Sequence, residues 1–272
     1  MPRLLIAGCG DLGLRLARRL RNTDWTVTGL RRRPDRLSDD LIAVGADLFR
    51  PDTLKTLETD WDAVVYQATP SLRDETGYRQ AYVEGLSNLL EHVRTDRLLY
   101  VSSTSVYGQD DGEWVDERSL TQPARFNGRL VLEGERIARE AVADAVAVRF
   151  AGIYGPGRDA LLRSLRDGRA TCREDPPQWT NRVHVEDCAA VLAHLLELDA
   201  PEPVYCASDG APTPRCQVLD WLSHRLDLPA PERLASQASG AQGKRVANNR
   251  LLATGFRFEF PDYRHGYGAM LP

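Results

Sequence analysis

The sequence predicts an α/β protein built on a doubly wound parallel sheet. Short β-rich runs alternate with longer amphipathic segments, a glycine-rich turn joins the first run to the first helix, and the alternation holds up to about residue 150. Residues 4–7, 26–30, 43–47, 63–67, 98–102 and 145–150 read as strands, each followed by a helical pattern. After the first run, Leu12, Leu16 and Leu20 share one face with arginines opposite. After the fourth, Tyr82, Leu86, Leu89 and Val93 do the same.

Beyond Phe150 the order loosens. A Gly/Pro loop at 155–157 and a polar stretch at 167–178 interrupt it. Helical patterns return at 185–198 and 215–226, with a strand-like run at 204–207 between them. Phe256, Phe258 and Phe260 alternate as an edge strand would. A length of 272 residues suits one large α/β domain carrying a small C-terminal lobe.

The charge balance excludes some partners. With 35 basic and 39 acidic side chains the net charge is -4, which gives no long-range attraction to nucleic-acid phosphates or an anionic membrane. No apolar run is long enough for a signal-peptide core or a membrane span. The five cysteines, Cys9, Cys172, Cys188, Cys206 and Cys216, show no CxxC spacing, so neither a metal site nor a disulfide framework is expected, and a cytoplasmic location fits. Lys55 and Lys244 are the only lysines.

The sharpest local signal is Gly8-Cys9-Gly10-Asp11-Leu12-Gly13, set between the first strand and the first helix. Gly8 permits the tight turn, Gly10 leaves room for a pyrophosphate, and Gly13 lets the helix pack on the sheet. The helix N-terminus offers free N–H groups to the phosphates. A Rossmann-type dinucleotide-binding domain over residues 1–155 is the expectation, with a small substrate lobe over 156–272 interleaved with late elements of the first domain. The cradle is assigned to Gly8, Gly10, Asp11, Leu12 and Gly13.

The second strand ends in Arg31-Arg32-Arg33, where an NAD enzyme carries an acidic residue for the ribose hydroxyls. A guanidinium grips a 2′-phosphate that a carboxylate would repel. Arg31 and Arg32 therefore favour NADP, with NAD as the alternative. Asp47 and Leu48 follow the third strand, where the carboxylate is placed either to accept from the adenine amino group or to cap the next helix. Gln67, Ala68 and Thr69 follow the fourth, where a dinucleotide crosses the sheet.

Three further segments carry a family resemblance: Tyr100-Val-Ser-Ser-Thr-Ser-Val-Tyr-Gly, Arg149-Phe-Ala-Gly-Ile-Tyr-Gly-Pro-Gly-Arg, and Asn181-Arg-Val-His-Val-Glu-Asp187. Together they resemble the extended short-chain dehydrogenase/reductases, the NAD-dependent epimerase/dehydratase family, and the tail from Lys244 to Arg264 looks most like its atypical branch. The resemblance implies that Ser103 hydrogen-bonds the reacting oxygen, that Ser102 borders the cofactor, and that Phe150 and Ile153 lie beside the nicotinamide. It also implies a homodimer through helices.

In that family a tyrosine moves the proton, its pKa lowered by a lysine four residues on. Alignment puts Asn127 and Val131 at those positions, so the pair is missing. An amide has no titratable proton near neutral pH. Arg129, Tyr107 and His184 are the candidate replacements, His184 because imidazole titrates nearest neutrality, although Tyr107 suits turning the chain after the fifth strand better, and His184 and Asp187 suit holding the helix that follows them better than a substrate contact. The sequence thus points to an NADP-linked oxidoreductase or epimerase acting on a small polar metabolite. The alternative is a non-catalytic NADP-binding sensor or scaffold that has lost the proton-transfer pair.

Overall fold

The computed structural model describes residues 1–39, 41–235 and 240–271. In chain order the strands are β1 (Arg3–Ala7), β2 (Thr26–Arg31), β3 (Ile42–Gly45), β4 (Asp60–Tyr66), β5 (Arg94–Ser103), β6 (Asp111–Val115), β7 (Asp144–Phe150), β8 (Gly152–Tyr154), β9 (Thr171–Cys172), β10 (Trp179–Thr180), β11 (Arg182–His184), β12 (Val204–Ala207), β13 (Thr213–Pro214), β14 (Glu232–Arg233) and β15 (Gly243–Val246). The α-helices are α1 (Asp11–Leu20), α2 (Glu75–Arg79), α3 (Gly85–His92), α4 (Phe126–Ala141), α5 (Ala160–Arg166), α6 (Val185–Leu196), α7 (Arg215–Leu226), α8 (Asn249–Ala253) and α9 (Tyr263–Gly268).

Seven strands form the central sheet in the order β12-β7-β5-β4-β1-β2-β3. β1 runs parallel to both β2 and β4, and the chain direction across the sheet reverses there. That reversal opens a crevice at the carboxyl ends of β1 and β4, the place where a doubly wound sheet binds its ligand. Leu4, Leu5, Ile6 and Ala7 are all fully buried, which is why the first run reads as continuous rather than alternating apolar sequence.

The chain separates into two compact units, each discontinuous in sequence. The first comprises Met1–Val106, Thr121–Arg149 and Cys188–Tyr205. Its α1 buries Leu12, Leu16, Ala17 and Leu20, the face predicted from spacing. Asp74 caps α2 by accepting from the Gly77 N–H at 2.8 Å. The helix then continues through one π turn, Gln80–Glu84, into α3. A π turn leaves carbonyls exposed, and the Tyr66 hydroxyl donates to one of them, Ala81 O, at 2.6 Å. After β2 and β3 the chain makes only short 3₁₀ turns, Pro34–Arg36 and Pro51–Thr56, in place of the helical patterns expected there.

The second unit comprises Tyr107–Leu120, Phe150–Asp187 and Cys206–Pro272. β6 pairs with β15, β8 with β11 and β9 with β14 in parallel, while β10 and β13 are antiparallel. Its core gathers Tyr154, Leu162, Leu165, Val218, Leu219, Leu222, Tyr263 and Tyr267. Two expectations are corrected here. Phe256, Phe258 and Phe260 do not form a strand: the backbone N–H groups of Glu259 and Phe260 donate to the Asp187 carboxylate at 2.8 and 3.0 Å instead of to a neighbouring chain. Cys172 and Cys216, 44 residues apart, form a disulfide with a Cα–Cα distance of 5.3 Å, a pairing that no local spacing rule reveals. Cys9, Cys188 and Cys206 form no disulfide among the described residues, and all three are buried.

Candidate functional site

A cleft of about 590 Å³ opens at the carboxyl ends of β1 and β2. Gly8, Gly10, Arg31, Arg32, Asp47, Leu48, Ala68 and Thr69 line it, bringing together residues that lie far apart in sequence. Gly8 has φ +80°, and a Cβ there would stand 2.9 Å from the backbone N and Cα of Ala68. Only glycine fits that bend. A Cβ on Gly10 would meet nothing closer than 3.9 Å, so this backbone is bare toward the cleft, as close approach of a phosphate requires. No side chain caps the N-terminus of α1. Leu12 and Gly13 lie behind the cradle in the packing of the helix. Asp11 projects outward and pairs with Arg15 at 2.9 Å. Gln67 is buried against Gly13, and its Nε2 finds no hydrogen-bond partner.

Arg33, the third guanidinium of the run, and Arg36 also line the cleft, and sequence reasoning did not place Arg36 there. The signal was the Pro34 that starts a 3₁₀ turn, which carries Arg36 back beside Arg33. No carboxylate pairs with Arg31, Arg32, Arg33 or Arg36 among the described residues; Arg32 reaches only the Ser71 hydroxyl, at 3.4 Å. Burial pushes the Cys9 thiol up to about 11, with Arg31 pulling weakly the other way, so Cys9 stays a neutral thiol beneath the cradle. Asp47 accepts from the Phe49 N–H at 3.1 Å, which orders the turn after β3.

At the end of β5, Ser103 accepts from the Ser105 N–H at 3.1 Å and keeps its own proton to donate. The first turn of α4 packs on this serine turn so closely that a Cβ on Gly128 would lie 2.3 Å from Ser105 O. Asn127, half-buried, immediately precedes that contact. Arg129 is on the outward side of α4, with its guanidinium on Ala124 O at 2.8 Å, in a surface groove shared with Gln122, Arg136 and Arg139. Ser102 is buried and donates to Glu135 at 2.5 Å, so its side chain is committed to the interior.

The family model for NAD-dependent epimerases and dehydratases matches residues 4–206. The chain belongs to the NAD-dependent epimerase/dehydratase family. Protein YeeZ of Escherichia coli strain K12 is 30% identical over 285 residues, covering 96% of this chain and 97% of its own. A solved structure from Methylobacillus flagellatus, described as an NAD-dependent epimerase/dehydratase, is 38% identical with TM-score 0.83, covering 98% of this chain and 97% of its own. The human epimerase family protein SDR39U1, solved with NADPH, shares the fold at TM-score 0.79 and 22% identity over 97% of each chain. A nicotinamide dinucleotide is the cofactor class of this epimerase/dehydratase family, and the bare cradle at Gly8 and Gly10 fits one.

Val131 is buried in the packed face of α4, and that helix carries no lysine. The Lys244 ammonium donates instead to Tyr107 O at 2.6 Å, and burial draws its pKa down. The Tyr107 hydroxyl is spent on Asp116 O at 2.7 Å. Phe150 ends β7 fully buried, and Ile153 sits in β8 opposite Val183 of β11. His184 is buried with its ring 3.9 Å from that of Phe260 and 5.3 Å from that of Tyr154. Asp187 holds the C-terminal tail through Glu259 and Phe260. No helix among the described residues is long and apolar enough to cross a membrane, and among them no group of three or more His, Cys, Asp or Glu side chains is placed to hold a metal ion.

Proposed function

We propose that the protein is an NADP-linked oxidoreductase or epimerase acting on a small polar metabolite. The observation that carries this reading is that Arg31, Arg32, Arg33 and Arg36 all line the cradle cleft and pair with no carboxylate among the described residues. Four guanidiniums suit a 2′-phosphate and have little to offer a ribose diol. The Asp47 carboxylate, fixed by Phe49, has an oxygen left for the adenine amino group. The NADPH held by the human relative of the same fold supports this reading.

When bound, the dinucleotide supplies or accepts hydride. This chain contributes Ser103, whose hydroxyl is oriented by the Ser105 N–H and donates to the reacting oxygen, and Asn127, whose amide orients the substrate beside it. Of the three replacement donors, Arg129 is engaged with Ala124 O, the Tyr107 hydroxyl with Asp116 O, and His184 is enclosed by aromatic rings; we assign all three to structure. Calorimetry tests the cofactor: NADPH is expected to bind about tenfold or more tightly than NADH, and Arg31→Ala with Arg36→Ala to erase that difference. Equal affinity for the two coenzymes would sink the NADP reading. Deuteride transfer from labelled NADPH tests the chemistry, and a Ser103→Ala variant with full turnover would remove Ser103 from it.

The second reading, an NADP sensor without catalysis, is favoured by one observation, the buried Val131 where an amine would be needed. Tight NADPH binding with no hydride transfer to carbonyl compounds would decide for it.

A further inference from the structure

Arg245 lies between two indoles of the second unit. Its guanidinium carbon is 5.2 Å from the centre of the Trp114 ring and 4.9 Å from that of Trp179. The Nε donates to Gly112 O at 2.6 Å, so the orientation of the fork is fixed by backbone. Its terminal nitrogens donate to no group among the described residues, and no carboxylate there pairs with it. The neighbouring Lys244 turns its ammonium to Tyr107 O and Gln109 O, which leaves Arg245 as the uncommitted cation of β15.

The register explains the arrangement. Arg245 stands opposite Trp114 and Val246 opposite Val115 across β6 and β15. The valines are buried, and alternation turns the arginine and tryptophan to the other face. There Trp114 remains 56% exposed, a large apolar ring left in water although Arg245 holds it in place. The indole walls a cavity of about 430 Å³, also lined by Asp116, Ser119 and Asn249.

With its carbon over two indoles and its Nε held by Gly112 O, the guanidinium keeps its terminal N–H groups, which have the parallel spacing of a carboxylate. The Asp116 carboxylate on the cavity wall disfavours a dianion such as a phosphate monoester, because like charges at close range repel. The exposed indole favours a planar ring. We propose that Trp114, Arg245 and the adjoining cavity form a binding site for a small aromatic carboxylate, the carboxylate on the edge of Arg245 and the ring on Trp114. The site shares no lining residue with the dinucleotide cradle, and its test needs no coenzyme.

The test titrates the full-length protein with benzoate, cyclohexanecarboxylate, benzyl alcohol and uridine monophosphate, followed by tryptophan fluorescence and saturation-transfer NMR. Benzoate is expected to bind saturably in the millimolar range, as a fragment of its size can, and more tightly than the other three. Arg245→Gln should abolish binding, and Arg245→Lys should weaken it about tenfold by losing the two-pronged contact. Trp114→Leu should bring benzoate down to the level of cyclohexanecarboxylate at an unchanged melting temperature, which keeps the test decisive if Arg245→Gln fails to fold. Absence of saturable benzoate binding, benzoate binding unaltered in Arg245→Gln or Trp114→Leu, or tighter binding of uridine monophosphate would each overturn the proposal.

Discussion

Glu135 of α4 and Arg149 of β7 form a buried two-pronged ion pair, Nε to Oε1 at 2.9 Å and Nη2 to Oε2 at 2.7 Å. Ser102 of β5 donates to the same Oε1 at 2.5 Å, so one carboxylate ties a helix to two strands. Glu135 has no exposed surface, and its charge is tolerated only because every neighbour answers it. Removing Glu135 takes away the carboxylate that answers the buried Arg149 guanidinium on two of its nitrogens. Glu135→Ala is therefore expected to destabilise the protein by about 3–5 kcal/mol, and Ser102→Ala by only about 1–2 kcal/mol. Urea denaturation checks both; a Glu135→Ala midpoint equal to wild type would show the pair to be dispensable.

The Cys172–Cys216 bond closes a loop across a sequence separation of 44 residues. Closing a loop of that length removes unfolded-chain entropy amounting to about 4 kcal/mol by the chain-entropy relation. Cys216→Ser is expected to lose up to that amount, and thiol reductant should lower the wild-type melting temperature while leaving Cys216→Ser unchanged. Alkylation followed by mass measurement identifies the bonded pair. Two free thiols at these positions in protein purified without reductant would contradict it.

Much of the first unit was legible because its signals are local. Burial on both faces of β1, β4 and β5 leaves runs such as Ala63-Val64-Val65 that no other element explains, and Gly8 announces a bend that excludes every other residue. The second unit was less so, because its structure depends on partners distant in the chain. Phe256, Phe258 and Phe260 alternate like a strand, yet Asp187, some seventy residues earlier, captures the N–H groups a sheet would have used. Arg245 was legible only as part of the tail that carries the family resemblance, since its place over Trp114 and Trp179 exists only once β6 and β15 pair. The cofactor cleft falls between these cases: Arg31 and Arg32 follow a strand directly, whereas Arg36 arrives through a turn that the helical reading passed over.

The glycine cradle gives a direct test of the cofactor site. Alanine at position 8 must adopt φ +80° and push its Cβ to 2.9 Å from the Ala68 backbone. The first costs about 1 kcal/mol or more, and the second shifts the chain on which the phosphates would lie. Gly8→Ala is expected to weaken NADPH binding at least tenfold, a loss of about 1.4 kcal/mol, with the far-ultraviolet dichroism unchanged. Undiminished coenzyme affinity in a folded Gly8→Ala protein would place the dinucleotide elsewhere.

Asp209 gives the second unit a pH dependence whose sign can be worked out. Burial is the main cause that lifts its carboxyl from 3.8 to about 7; the Ala211 N–H and Arg182 oppose the rise, while Asp262 and Asp187 add to it. One oxygen accepts from Ala211 at 3.1 Å, and the other has no hydrogen-bond partner. Below pH 3.8 the acid is protonated in both folded and unfolded chains and contributes nothing. Between 3.8 and about 7 only the unfolded chain ionises, so this group lowers stability as pH rises, by about 1.4 kcal/mol for each pH unit at most. Above 7 the deficit is constant. Asp209→Asn keeps the contact with Ala211 and cannot ionise, so it should gain little at pH 4 and most at pH 8, measured as the difference in unfolding free energy from wild type. A difference that is flat from pH 4 to 8, or that shrinks as pH rises, would mean that Asp209 is already ionised in the folded protein and that Arg182 outweighs its burial.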